Sequence, residues 1–238
     1  MSEEQGTSSR RLFWVVVAGI VLYALLDAIA QVLPPHYSPI RDAESDLAVG
    51  PYGYVMAINF VNRGLLSLVF VYALARTLRV SGTAGAGGVT GKNPYSTGLY
   101  LLGAWGVGAI LLAIFPTDVP STPVSWHGAI HLLVATVAFL AGAFGALSLS
   151  RQFGSSQALK GVSGVGTALA VLAVVFCFVT LALGFIVPHL ATRIGGLDER
   201  VFLALVLLWM AVVSAHLLRG TPDSSKARVL PRTDQSSA

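Results

Sequence analysis

Ile114-Phe-Pro-Thr-Asp118, continuing to Ser125-Trp-His-Gly-Ala-Ile-His131, is a short polar loop between two long apolar runs. Neither run, Tyr95 to Phe115 or Trp126 to Ser150, contains an Asp, Glu, Lys or Arg. A helix needs ~20 apolar residues to cross a bilayer, and a spanning helix satisfies its own backbone hydrogen bonds where lipid offers no partner. The loop and its flanks therefore read as two transmembrane helices joined by a polar connection.

The rest of the chain repeats this pattern. Of 238 residues, 55% are hydrophobic and 11% charged, against about a quarter charged in soluble domains. Spans are expected at about 12–33, 55–78, 95–115, 126–150, 163–187 and 201–218, making one all-α domain of six transmembrane helices. Residues 1–11 and 219–238 are polar and read as disordered extensions. Pro34-Pro35 stops the first helix, residues 79–94 form a Gly-rich loop, and 188–200 a polar one. Ser9-Arg-Arg-Leu-Phe13 with Ala28-x-Ala30 resembles a cleavable twin-arginine signal, but Asp27 beside the cleavage position favours an uncleaved first span.

Basic residues orient the bundle. Eleven of the fifteen Lys and Arg lie at the termini, in the 79–94 and 151–162 loops, and on their flanks; the other three loops hold Arg41, Arg193 and Arg200. By the positive-inside rule both termini are expected in the cytoplasm, in a cell (inner or plasma) membrane. The net charge of +4 and pI of about 9.5 then report orientation, not nucleic-acid binding, and the partner is the lipid bilayer. The single cysteine, Cys177, cannot form an internal disulfide. Ala138, Gly142 and Ala146, and Gly166 with Ala170, place small residues on one helix face, where backbones can approach closely.

This topology gathers polar residues at the extracytoplasmic end: His36, Asp42, Glu44, Asp46, Asp118, His127, His189, Asp198, Glu199 and Arg200, with His131 one turn into the fourth span. Asp27 and Arg63 lie inside spans at similar depth, roughly 9–12 Å from that end at ~1.5 Å per residue. A lone charge near the bilayer centre costs roughly 2.5–3.5 kcal/mol, so the two are expected to pair, with Asn59 and Asn62 extending a polar network. His127 and His131 at i, i+4 share a helix face. That spacing can chelate a divalent metal with Asp118, Asp46, Glu44 or His189 as further ligands, although no glutamate stands between the histidines as in His-Glu-x-x-His. Asp198-Glu199-Arg200 reads as the capped start of the sixth helix. Trp14, Trp126 and Trp209, with Tyr52, Tyr54, Tyr95 and Tyr100, read as interfacial aromatics. No phosphate loop, dinucleotide fingerprint, nucleophile elbow or CxxC is present.

Ser45-Asp46-Leu47, Gly50-Pro-Tyr-Gly53 with Asn59, Phe115-Pro-Thr-Asp118 with His127 and His131, and Gly196-Leu-Asp-Glu-Arg200 before Trp209 together resemble a family of prokaryotic six-helix membrane proteins, domain of unknown function 998. The resemblance implies the six-helix bundle and no established activity. It carries over Ser45, Asp46, Asn59, Asp118, His127, Glu199 and Arg200. With Asp27, Arg63 and His131 these form the candidate site. Three functions fit it. The first is binding of a small polar ligand or lipid headgroup. The second is metal-dependent hydrolysis of lipid, and the third is small-molecule or proton-coupled transport past Asp27 and Arg63.

Overall fold

A computed structural model describes residues 3–83, 94–119 and 122–220. The described residues form six long helices and no strand: α1 (Glu3–Val32), α2 (Gly53–Thr83), α3 (Ser96–Ile114), α4 (Trp126–Phe153), α5 (Ser163–Phe185) and α6 (Pro188–Gly220). All six are long and apolar enough to cross a membrane, and the chain is a multi-pass membrane protein. Each helix packs on its neighbours in chain order, and α1 also packs on α6, closing a ring. Residues 33–52, 115–119, 122–125 and 186–187, which connect the helices, thus lie at one end of the bundle, remote from Glu3 and Gly220; this is called the distal end below.

Two helices begin earlier than the apolar pattern indicates. Helix α1 starts at Glu3 rather than Leu12. Helix α6 starts at Pro188, so the stretch expected as a polar loop to residue 200 is helical. Proline at a first helical position has its φ already set and gives up an amide that would have no partner. Asp198, Glu199 and Arg200 accordingly lie inside α6, not at its cap. The Gly-rich stretch falls mainly outside the described residues, as does the C-terminal tail.

The core is layered along the bundle. Towards the termini, Phe70 and Phe153 pack on Trp209, with ring centroids 5.6 and 5.9 Å away. Trp209 is fully buried and donates from Nε1 to Ser150 Oγ at 2.8 Å, so it is a core residue and not an interfacial one. Trp14 and Trp126 are exposed. A middle layer holds Trp105, Phe139 and Phe202, and a distal layer Leu47, Val55, Met56, Phe60 and Leu112. Small residues set the α3–α4 spacing: a Cβ on Gly142 would stand 2.8 Å from Trp105, and one on Gly108 2.7 Å from Ala138. The predicted Ala138, Gly142, Ala146 stripe is buried.

The 33–52 connection folds back over the bundle mouth. After Pro34-Pro35 ends α1, His36 takes a positive φ of 74° and Gly50 one of 83°, a region open to glycine and costly for most side chains. Between them Glu44–Ala48 forms a 3-10 turn with Glu44 and Leu47 buried. This connection docks on α6, where the amides of Gly196 and Leu197 donate to the carbonyls of Arg41 and Ile40 at 3.3 and 2.9 Å. A Cβ on Gly196 would lie 2.1 Å from Asp42 O. Gly196→Ala is therefore expected to lower stability by about 1–3 kcal/mol through overpacking. Gly103→Ala on α3, where the Cβ meets nothing within 4 Å, should be neutral or stabilising. Thermal unfolding of the two variants in detergent checks the contrast.

Candidate functional site

The distal site is built around Arg63 of α2, 2% exposed. Asp27 was expected as its partner, but the ion pair forms with Glu44, Nη1 to Oε2 at 3.6 Å, and Glu44 is 1% exposed. Asp27 instead accepts from Gln31 of its own helix at 2.5 Å. Counting depth along helices cannot anticipate this, because Glu44 sits in a connection that re-enters the bundle. Tyr23 of α1 donates its hydroxyl to Glu44 Oε1 at 2.5 Å. Burial pushes the Glu44 carboxyl above its ordinary range, against the pull of the nearby guanidinium. Arg63 lies over the rings of Phe60 and Trp105, 5.2 and 5.0 Å from their centroids, faces that attract a cation. Asn59 and Asn62 tie α2 to α1, donating to the carbonyls of Tyr23 and Gly19 at 3.2 and 3.0 Å.

A second cation secures the connection from outside. Arg200 donates from Nη1 to the carbonyls of Pro39, Asp42 and Gly196 at 3.0, 3.2 and 3.1 Å, and from Nη2 to the Tyr37 hydroxyl. Tyr37 donates onward to Ala43 O at 2.9 Å. Glu199 accepts the Glu44 amide at 3.0 Å. Two adjacent α6 residues thus grip the connection that delivers Glu44 to Arg63.

The central loop is organised by Asp118 and Ser125. Asp118 accepts from the Ser125 amide at 2.9 Å and its hydroxyl at 2.5 Å. Ser125 Oγ in turn accepts the Gly128 amide at 3.1 Å, capping α4. The Ser125 bonds hold the Asp118 carboxyl below its ordinary range. His127 Nδ1 lies 2.9 Å from Ser125 Oγ and 3.8 Å from Asp118 Oδ1. His131, 5% exposed, meets the Phe115 carbonyl through Nδ1 at 2.7 Å. A carbonyl only accepts, so Nδ1 carries the hydrogen and Nε2 is left free. Among the described residues no three His, Cys, Asp or Glu side chains converge as metal ligands.

A cavity of about 720 Å³ opens beside this cluster. Of the sequence candidates, Ser45, Asp46, Arg63, Asp118, His131 and Glu199 line it. Asp27, Asn59, His127 and Arg200 do not; they tether its surroundings by the bonds above. Its other polar walls are Arg41, Asp42, Thr180 and Asp198. Thr180 of α5 donates to Asp198 at 2.5 Å, joining α5 to α6. The apolar wall includes Phe60, Leu112, Leu132, Phe139, Leu181 and Phe185. Val124 in the central loop, Leu132 near the start of α4 and Phe185 at the end of α5 line the cavity and are exposed, so its apolar part reaches the protein surface. Sequence reasoning named Glu44 only as a possible further metal ligand and Asp198 only as part of a helix cap, and it gave Tyr23, Tyr37 and Thr180 no role. Asp198 and Glu199, two adjacent acids followed by Arg200 in α6, were the available signal.

Residues 17–216 match the model of a family described as protein of unknown function (DUF998). No curated protein and no solved structure matches the chain.

Two outcomes test the electrostatics. Arg63→Met leaves Glu44 buried without its partner and is expected to cost about 3–5 kcal/mol. The double variant Arg63→Met/Glu44→Gln should recover most of that loss, which a double-mutant cycle of unfolding in detergent measures. Asp46, raised by burial to about 6, binds its proton more tightly folded than unfolded, where a carboxyl titrates near about 3.9. Stability should therefore fall as pH rises from about 4 through about 6. Asp46→Asn should flatten that part of the thermal midpoint profile.

Proposed function

The chain belongs to the DUF998 family over residues 17–216, and from that premise we propose that this membrane protein binds an amphiphile, polar head at the distal end and hydrocarbon against the α4–α5 wall. The observation that carries this reading is the two-sided cavity: carboxylates, Arg63 and His131 on one part, Phe60, Leu132, Phe139, Leu181 and Phe185 on another. A pocket for a purely water-soluble molecule has no need of an apolar part lined by exposed Val124, Leu132 and Phe185. The charge bias of the loops favours placing the cavity on the extracytoplasmic face of the cell membrane.

Passage across the membrane is the second reading, favoured by the cavity reaching Arg63. Against it, Trp105, Phe139 and Phe202 pack directly beyond, with Phe139 and Phe202 ring centroids 4.7 Å apart. That layer closes the floor and suits holding over conduction. Metal-dependent lipid hydrolysis has the weakest support, since Asp118 is engaged by Ser125 and among the described residues no third ligand converges.

The test is binding of a fluorescent fatty-acyl probe to the purified full-length protein. Thr136→Trp places a large ring in the cavity wall, whereas Val137→Trp, next in sequence, faces away from the cavity. Thr136→Trp should weaken binding about tenfold or more, the equivalent of about 1.4 kcal/mol. Val137→Trp should leave it unchanged. Equal affinity in the two variants would remove the cavity as the site.

A further inference from the structure

The Arg63 guanidinium makes no hydrogen bond to any described residue. Its Nε is buried without an acceptor, and its contact with Glu44 is an ion pair at 3.6 Å. A guanidinium carries five donors in a planar fork, and in a site 2% exposed unmet donors are costly. His131, on the same cavity, has Nδ1 fixed by Phe115 and its Nε2 without a partner. Both groups face space that an acid oxygen could fill.

The remaining polar wall has the opposite character. Asp42 is engaged by Arg41 at 3.1 Å and Asp118 by Ser125. Asp46, Asp198 and Glu199 each commit one oxygen, to the Ala43 amide at 3.1 Å, the Thr180 hydroxyl at 2.5 Å and the Glu44 amide at 3.0 Å. The second oxygen of each has no donor among the described residues. A purely anionic head would meet Arg63, already offset by Glu44, and then three carboxylates. A purely cationic head would suit the carboxylates and leave the guanidinium fork unmet.

We propose that the head group held in this cavity is a zwitterion, its phosphate or carboxylate on Arg63 and His131 and its ammonium among Asp46, Asp198 and Glu199. This rests on the amphiphile reading above and narrows it to one chemical class. The same chemistry is offered by an aminoalkyl phospholipid and by a free aminoalkyl phosphate. Hydrogen bonds to charged groups are the stronger kind, so meeting both walls should separate the zwitterion from single-charge heads by about tenfold or more.

The experiment uses the full-length protein in detergent with four dioleoyl lipids sharing one tail: phosphatidylethanolamine, phosphatidylglycerol, a trimethylammonium-propane lipid and diacylglycerol. Phosphatidylethanolamine is expected to bind about tenfold or more tightly than the other three. Asp46→Asn, whose amide oxygen can still accept the Ala43 amide, should lose that preference while phosphatidylglycerol binds as well or better. Arg63→Gln/Glu44→Gln, which leaves no lone buried charge, should weaken both phospholipids and spare the cationic lipid. Should that double variant fail to fold, Arg63→Lys, which keeps the charge and removes the fork, should weaken both phospholipids in its place. Equal binding of all four lipids, still abolished by Thr136→Trp, overturns the zwitterion and leaves the amphiphile reading standing. Competition by free phosphoethanolamine at concentrations equal to the lipid's supports the zwitterion and overturns the need for a tail. Absence of binding by all four lipids and by phosphoethanolamine overturns both.

Discussion

A guanidinium buried in apolar surroundings must be neutralised, and Arg63 imposes that requirement on the distal half of the protein. It is almost wholly shielded from bulk water, and its own helix supplies no acid. The balancing carboxylate comes from the 33–52 connection, which turns inward so that Glu44 is as buried as the arginine. Tyr23 then fixes the carboxylate from α1, and two aromatic faces flank the cation. Removing two charges from water costs several kcal/mol per ion, which their attraction repays only with good geometry and further hydrogen bonds. The pair is thus weak evidence of a stability device. Its stronger effect is positional, because it decides where the connection lies.

Once Glu44 is drawn inward, the rest of the mouth is constrained. The connection must cross α6, and Gly196 leaves room for the Asp42 backbone. Arg200 then donates to the Pro39 and Asp42 carbonyls of the crossing and to the Gly196 carbonyl of its own helix. Glu199 meets the Glu44 amide on the same crossing. Asp46 and Asp42 follow Glu44 to the cavity wall. The polar side of the cavity is therefore a consequence of how the buried cation is balanced.

The helices and their spacing were legible because each depends on local sequence: apolar runs, charged flanks and prolines. The gathering of Ser45, Asp46, Arg63, Asp118, His131 and Glu199 was legible as well, since alternation of spans sorts loops to one end. The partner of Arg63 was not, because a depth scale ranks residues on helices and says nothing of a loop that returns into the bundle. The start of α6 was missed for a related reason. Residues 188–200 are too polar for an apolar window, yet their polar side chains are used by the connection rather than by water. Trp209 shows the limit of reading aromatics as interfacial: its ring lies in the core, and Ser150, on another helix, provides the acceptor that makes burial tolerable.

The apolar wall of the cavity has its own cause. Helices α2, α3 and α4 approach closely at glycines, Gly64 against Gly106 and Gly108 against Ala138. Helix α5 buries mainly small residues, Gly166, Ala170, Ala173 and Cys177, with Leu183 the one large side chain at its distal end. Its larger residues, Val171, Leu172, Val175 and Phe178, point outward. A helix held by small contacts gains little dispersion energy from its neighbours, and near its distal end Thr180 to Asp198 is the polar tie to α6. The wall beside the cavity is therefore held by small side chains and one polar tie, which leaves its large apolar residues facing away from the core.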